Sequence, residues 1–256
     1  MKDGVITKTV GLPIYKGREI AWLALESLCR QEKAGIWELI VFEDGDGEWC
    51  NEHYFAEFIP RLREAGMRRF KYISSKKRHP LSLKWREIAQ QASDTSNWFL
   101  MQAADAYSDK LTLAHTTNAE MKGADYFAWN NGHFYNIETE GLMRYLNHHK
   151  RSGLSQLVKT HIIKALPKEE LWRGVDGWIF DHIKRGRAHV TSMERLGLST
   201  DGCNTISLNR RKFYDMVEIM NGFGSFTRAK KPVNELVPDS VLKKLRLLKK
   251  QNANSQ

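Results

Sequence analysis

Cysteine is scarce in this chain and carries no pattern. Cys29, Cys50 and Cys203 are odd in number and have none of the short spacings that ligate a metal or form a redox pair. They read as reduced thiols of a cytosolic protein, and a disulfide framework is excluded. Long apolar runs are missing too. No stretch approaches the roughly 20 residues needed to cross a bilayer. The opening residues, Met-Lys-Asp-Gly-Val-Ile-Thr-Lys, lack the apolar core of a secretory signal. A soluble, cytoplasmic protein is therefore expected. No internal repeat or low-complexity tract breaks the chain, so repeat architectures are excluded.

What is present is enough to build a large core. The 256 residues are 41% hydrophobic and 11% aromatic, which suits one large domain, or one with a small appendage. The formal charge of +10 is uneven. Residues 228–256 hold eight bases against two acids, a surplus of six in about a tenth of the chain. A second cluster of eight bases runs from Arg68 to Arg86. Such concentration suggests an anionic partner: phosphate, nucleic acid or a lipid surface. A solvated, solubilising face is the plain alternative for the tail. No obligate protein partner is implied.

Along the chain, residues 5–14 alternate like a strand, and residues 18–32 place Ile20, Leu23, Ala24 and Leu28 on one helical face. Residues 36–43 read as a second strand, 53–65 as helical, 69–74 as a strand, 81–91 as a helix and 97–102 as a strand. This β-α-β-α-β-α-β order predicts a parallel, doubly wound sheet. After residue 110 the rhythm changes. Helices are expected over 111–122, 151–165, 169–184, 208–220 and 240–250, with strand character at 125–136 (turning at Asn131-Gly132) and at 190–207. The division predicted is a catalytic domain over 1–227, with a nucleotide-binding half to about 110 and an acceptor half beyond it. A basic tail follows over 228–256.

Two strands end in acids. Trp98-Phe-Leu-Met-Gln-Ala-Ala-Asp105 delivers a carboxylate into a turn, and Trp37-Glu-Leu-Ile-Val-Phe-Glu43-Asp44-Gly45 does the same earlier. The carboxyl ends of strands are where open α/β sheets bind ligands. A third acid, Asp176, lies in Gly174-Val-Asp176-Gly-Trp178. An acid in such a turn suits a divalent cation held against a phosphate-bearing substrate.

Together with the opening Gly11-Leu-Pro13-Ile-Tyr15, these segments resemble the GT-A-fold glycosyltransferases of the family-2 type, over about residues 5–185. The resemblance implies an α/β, Rossmann-related, mostly parallel sheet flanked by helices. It implies a hexosyl- or pentosyltransferase moving a sugar from a nucleotide-diphosphate donor, a UDP-sugar by preference, with inversion. By the same resemblance Pro13, Tyr15 and Glu43, with Asp44 beside them, would meet the donor's base. Asp105 would hold Mn2+ or Mg2+, and Asp176 would be the catalytic base. The chain departs from the family at the metal motif: Gln102 or Ala103 stands in place of its first acid, and Ala106 follows Asp105.

Each assignment has a structural alternative. Asp105 could simply cap its turn, Asp176 could be the N-cap of a helix over 177–184, and Asp109 reads as an N-cap. Lys84 or Arg86 would reach the diphosphate, or sit on a basic helix face. Trp129, Tyr135 and Trp178 would stack on sugars, or belong to the core. The acceptor expected is a cell-surface glycan or lipid-linked precursor, with the basic amphipathic helix at 240–250 holding the enzyme peripherally at a membrane. The runner-up acceptor is a hydroxymethylated pyrimidine in DNA, flipped from the duplex. A catalytically degenerate nucleotide-sugar-binding module is the third reading.

Overall fold

The computed structural model describes residues 4–15, 18–128, 131–136, 139–146, 156–186, 190–192, 206–209, 225–228 and 233–253. Trp129, Cys203 and residues 210–220 of the helix expected at 208–220 lie outside these segments.

The front half forms as its periodicity predicts. Strands β1 (Lys8–Ile14), β2 (Trp37–Asp44), β3 (Met67–Ser75) and β4 (Trp98–Met101) alternate with helices α1 (Arg18–Leu28), α2 (Glu52–Ala56), α3 (Ile59–Glu64) and α4 (Leu81–Gln90). Successive side chains of a strand point to opposite faces, so a strand covered on both sides must be apolar throughout. In β2, Trp37, Leu39 and Val41 enter the core beneath α1, whereas Ile40 and Phe42 enter the one beneath α4. In β4, Trp98 and Leu100 take the first face and Phe99 and Met101 the second. Gly11 allows the second layer to close. A Cβ there would come within 2.5 Å of Phe99 and 3.0 Å of Ile88 on α4.

The main sheet has seven strands in the order β10-β6-β9-β4-β1-β2-β3, with β6 (Tyr126–Ala128), β9 (Gln156–Lys159) and β10 (Val190–Ser192) completing it. The pairings β1–β2, β2–β3, β1–β4 and β6–β10 are parallel. The sheet is thus mostly parallel, as expected, and the exception is β9, which runs antiparallel to both β4 and β6. A second sheet, β12-β8-β7-β11-β5, joins β5 (Ala106–Tyr107), β7 (Asn131–Asn136), β8 (Leu142–Leu146), β11 (Ile206–Asn209) and β12 (Ser225–Arg228).

The back half holds further corrections. In the described part of the helix expected over 151–165, residues 156–159 are strand and α6 (Thr160–Lys164) is helical, while residues 151–155 lie outside the described segments. Asn131-Gly132 lies inside β7 rather than at a turn. Residues 208–209 belong to β11, not to a helix. The helix over 111–122 shrinks to α5 (His115–Met121), and that over 169–184 becomes α7 (Val175–Arg185). Short apolar runs satisfy helical and extended periods equally, which is why their type was misread.

The chain closes with α8 (Val233–Leu236) and α9 (Asp239–Ala253). Val241, Leu242 and Leu245 of α9 are buried in the same core as α1. Those three residues of the helix's apolar side are therefore covered within the fold. No described helix is long and apolar enough to cross a bilayer.

Candidate active site at the switch point of the sheet

Chain order and strand order part company at β1. From β1 the chain passes through β2 to β3 on one side, then returns to place β4 on the other. The adjoining crossovers leave in opposite directions, opening a crevice beyond the carboxyl ends of β1 and β4. A cavity of about 380 Å³ lies there, lined by Pro13 near the end of β1, Tyr15 just after it, Leu81 and Trp85 on α4, and Asp105 and Asp176. Its volume falls within the range of small-molecule sites.

The turn carrying Asp105 is built by Gln102. This side chain is buried, and its amide donates to the carbonyls of Ala103 (3.0 Å) and Ala106 (2.9 Å). Its carbonyl oxygen accepts from the Ser108 hydroxyl at 2.6 Å. Gln102 is thus a clamp that shapes the loop. Asp105 projects from it into the cavity wall, where burial pushes its carboxyl above the usual aspartate range. Its own backbone amide is the one group drawing it back down.

Asp176 reaches the cavity from the first turn of α7. The helix begins at Val175 behind Gly174, whose φ of 66° makes glycine the natural residue at that corner. Asp176 is therefore not the N-cap of a helix starting at 177. It sits where the positive end of the helix dipole favours a carboxylate.

The first acidic pair is arranged differently from expectation. Glu43 is fully buried and turned onto its own loop, accepting from the backbone amides of Gly47 (2.8 Å) and Trp49 (3.3 Å) and from the Tyr72 hydroxyl (3.3 Å). It does not line the cavity, so the expected convergence of three carboxylates reduces there to two. Asp44, 1% exposed, pairs with Lys84 and accepts from the His79 amide at 3.2 Å. Lys84 is buried as well and donates to the Ile14 carbonyl. Burial lowers its ammonium below the usual lysine range, although Asp44 beside it pulls the other way. Arg86 donates to the Leu166 carbonyl at 2.6 Å. Both cations expected at a diphosphate are thus engaged inside the fold.

The wider basic cluster is dispersed in the same manner. Arg69 pairs with buried Glu38, directly opposite it in the β2–β3 register, and Lys71 bonds Gln91. Arg78 is different. It is exposed beside the cavity mouth, with its guanidinium 4.3 Å from the Tyr15 ring centroid and 4.8 Å from that of Trp172. Neither Arg78 nor Trp172 stands out in the sequence, where one is a base among bases and the other an aromatic before Asp176. Trp178 packs beside the core under α4, and Tyr135 is buried in the other core.

Among the described residues no group of three or more His, Cys, Asp or Glu could hold a metal alone. A cation at Asp105 would need oxygens from a substrate, the coordination habit of Mg2+ and Mn2+. A desolvated carboxyl at an open cavity suits that role.

No protein-family model and no curated protein sequence matches the chain. Solved structures do. The mannosyltransferase PcManGT from Pyrobaculum calidifontis, in complex with GDP-Man and Mn2+, aligns with a TM-score of 0.56 at 10% identity. The alignment covers 86% of this chain and 59% of that one. S. aureus TarS 1-349 in complex with UDP-GlcNAc aligns with a TM-score of 0.55 at 14% identity, over 90% of this chain and 69% of TarS 1-349. The chain has the GT-A fold. The switch-point cavity thus lies in a GT-A framework, at the carboxyl ends of β1 and β4.

Proposed function

We propose that this chain is a glycosyltransferase that moves a sugar from a nucleotide-diphosphate donor to a hydroxyl acceptor. The observation that carries the reading is one cavity, at the switch point of a GT-A sheet, with Asp105 and Asp176 in its walls. Structural neighbours solved with UDP-GlcNAc and with GDP-Man and Mn2+ support it.

In this reading Asp105 holds Mn2+ or Mg2+, with donor phosphate and water completing the shell. Bound there, the cation would act as a Lewis acid stabilising charge on the departing diphosphate. Asp176 takes the proton from the attacking hydroxyl, and it is the sole base required by a single inverting displacement. Such assistance is worth roughly 10²–10⁴-fold. Tyr15 and Pro13 flank the donor's base. Gln102 keeps Asp105 aimed into the cavity, and Trp85, Leu81 and Met101 keep its wall dry. Glu43 and Asp44 shape the loop beside the base rather than reading the base edge.

The test is a panel of nucleotide sugars incubated with Mn2+ and the purified protein, with water taking the sugar in place of the hydroxyl acceptor and release of nucleoside diphosphate measured. Turnover on at least one donor is expected, falling about 10²–10⁴-fold in Asp176→Asn with nucleotide affinity unchanged. Full turnover in Asp176→Asn would remove the base assignment, and no turnover on any donor would remove the reading.

A further inference from the structure

The Arg78 guanidinium rests against two aromatic rings at once. Its distances to Tyr15 (4.3 Å) and Trp172 (4.8 Å) both lie within the reach of a cation on an aromatic face. The rings come from segments far apart in the sequence. Tyr15 follows β1 and lines the cavity with Asp105 and Asp176. Trp172 precedes α7 and is 49% exposed. Leu171 beside it packs against the core beneath α4, and Trp172 does not.

The Trp172 segment is nonetheless fixed. The Leu171 amide donates to the Ser82 hydroxyl at 2.8 Å, the Ser82 amide donates to the Leu171 carbonyl at 3.2 Å, and the Ser82 hydroxyl donates to the Glu169 carbonyl. An exposed indole is thus held in place, with a flat cation between it and the cavity's tyrosine. Neighbouring Lys84 and His79 share Asp44, whereas among the described residues no carboxylate pairs with Arg78.

We propose that Tyr15 and Trp172 are the two walls of a nucleobase slot, and that Arg78 fills it in the ligand-free protein. An incoming nucleoside diphosphate would displace the guanidinium, which then pairs with the diphosphate. The inference rests on the nucleotide-sugar reading above. The exchange is physically favourable in both halves. A base stacked on aromatic rings is held more strongly than an exposed cation on the same ring. A planar guanidinium released beside a phosphate gains a charge-assisted, bidentate partner.

The consequence is a split in sign. Toward a nucleoside, which has a base and no phosphate, Arg78 is only a competitor. Toward a nucleoside diphosphate it is a partner once displaced.

The experiment is titration of uridine, guanosine, UDP and GDP, with Mn2+ present, into wild-type protein, Arg78→Ala and Trp172→Ala. Arg78→Ala is expected to tighten the preferred nucleoside several-fold and weaken its diphosphate about tenfold, and Trp172→Ala to weaken both about tenfold. A shift of nucleoside and diphosphate in the same direction in Arg78→Ala, or no change in Trp172→Ala, overturns the slot while leaving the donor reading intact. Wild-type protein that binds none of the four overturns both.

Discussion

A carboxyl crowded by apolar wall favours its neutral form, and Asp105 is such a group. Its folded-state pKa lies above the ordinary value, so the folded chain binds the extra proton. Its contribution to stability is then fully favourable below the unfolded pKa and is lost as pH rises through the folded one. Asp105→Asn removes that loss. Thermal unfolding across pH is expected to show the variant equal to wild type in acid and more stable near neutrality. Coincident curves would mean that the carboxyl is not desolvated. The position of the acid after an apolar strand was legible in the sequence, although the same pattern fits an aspartate that caps its turn. Gln102 was not legible as a clamp, since its three partners are defined by the turn it creates.

At the scale of elements, legibility followed length. Strands β1 to β3 run seven to nine residues, with helices between them, and their periods declare themselves. Strand β9 has four residues and passes directly into α6, so its apolar run fits either period. Helix α9 shows a different limit. Its amphipathic pattern is plain in the sequence, but a pattern does not say what covers the apolar side. Packing against α1 settles that: Leu245 is 2% exposed in the common core. Leu245→Ala is expected to lower the free energy of unfolding by about 2–5 kcal/mol in denaturant titration. A loss within the scatter of surface substitutions would show that α9 is not part of the core. The register of β2 on β3 makes the same point for charge. It sets Arg69 opposite fully buried Glu38, which also accepts from the Ser93 amide at 2.7 Å and from Thr9. Glu38→Ala leaves the buried Thr9 hydroxyl and the Ser93 amide without their acceptor, while Arg69, 39% exposed, can turn to solvent, and a loss of about 1–3 kcal/mol is expected. A change under 1 kcal/mol in the same titration would contradict that account of the cluster.

For the molecule as a whole, the order of elements in the first hundred residues was enough to expect a parallel, doubly wound sheet with acids at its strands' carboxyl ends, whereas the switch point between β1 and β4 shows only in the structure. The sequence could not say which of the acids at that edge face a common space. Asp105 and Asp176 do, and Glu43 is turned away by the loop it caps. The account therefore stands on a cation shared between one aspartate and a substrate's phosphates, not on an all-protein metal cage. Calorimetric titration of UDP and GDP, with and without Mn2+, into wild-type protein and Asp105→Asn tests this most directly. The account expects diphosphate binding that strengthens tenfold or more with Mn2+ in the wild type, a gain of about 1.4 kcal/mol or more, and no Mn2+ effect in the variant. Binding that ignores Mn2+, or an equal Mn2+ effect in Asp105→Asn, would contradict it.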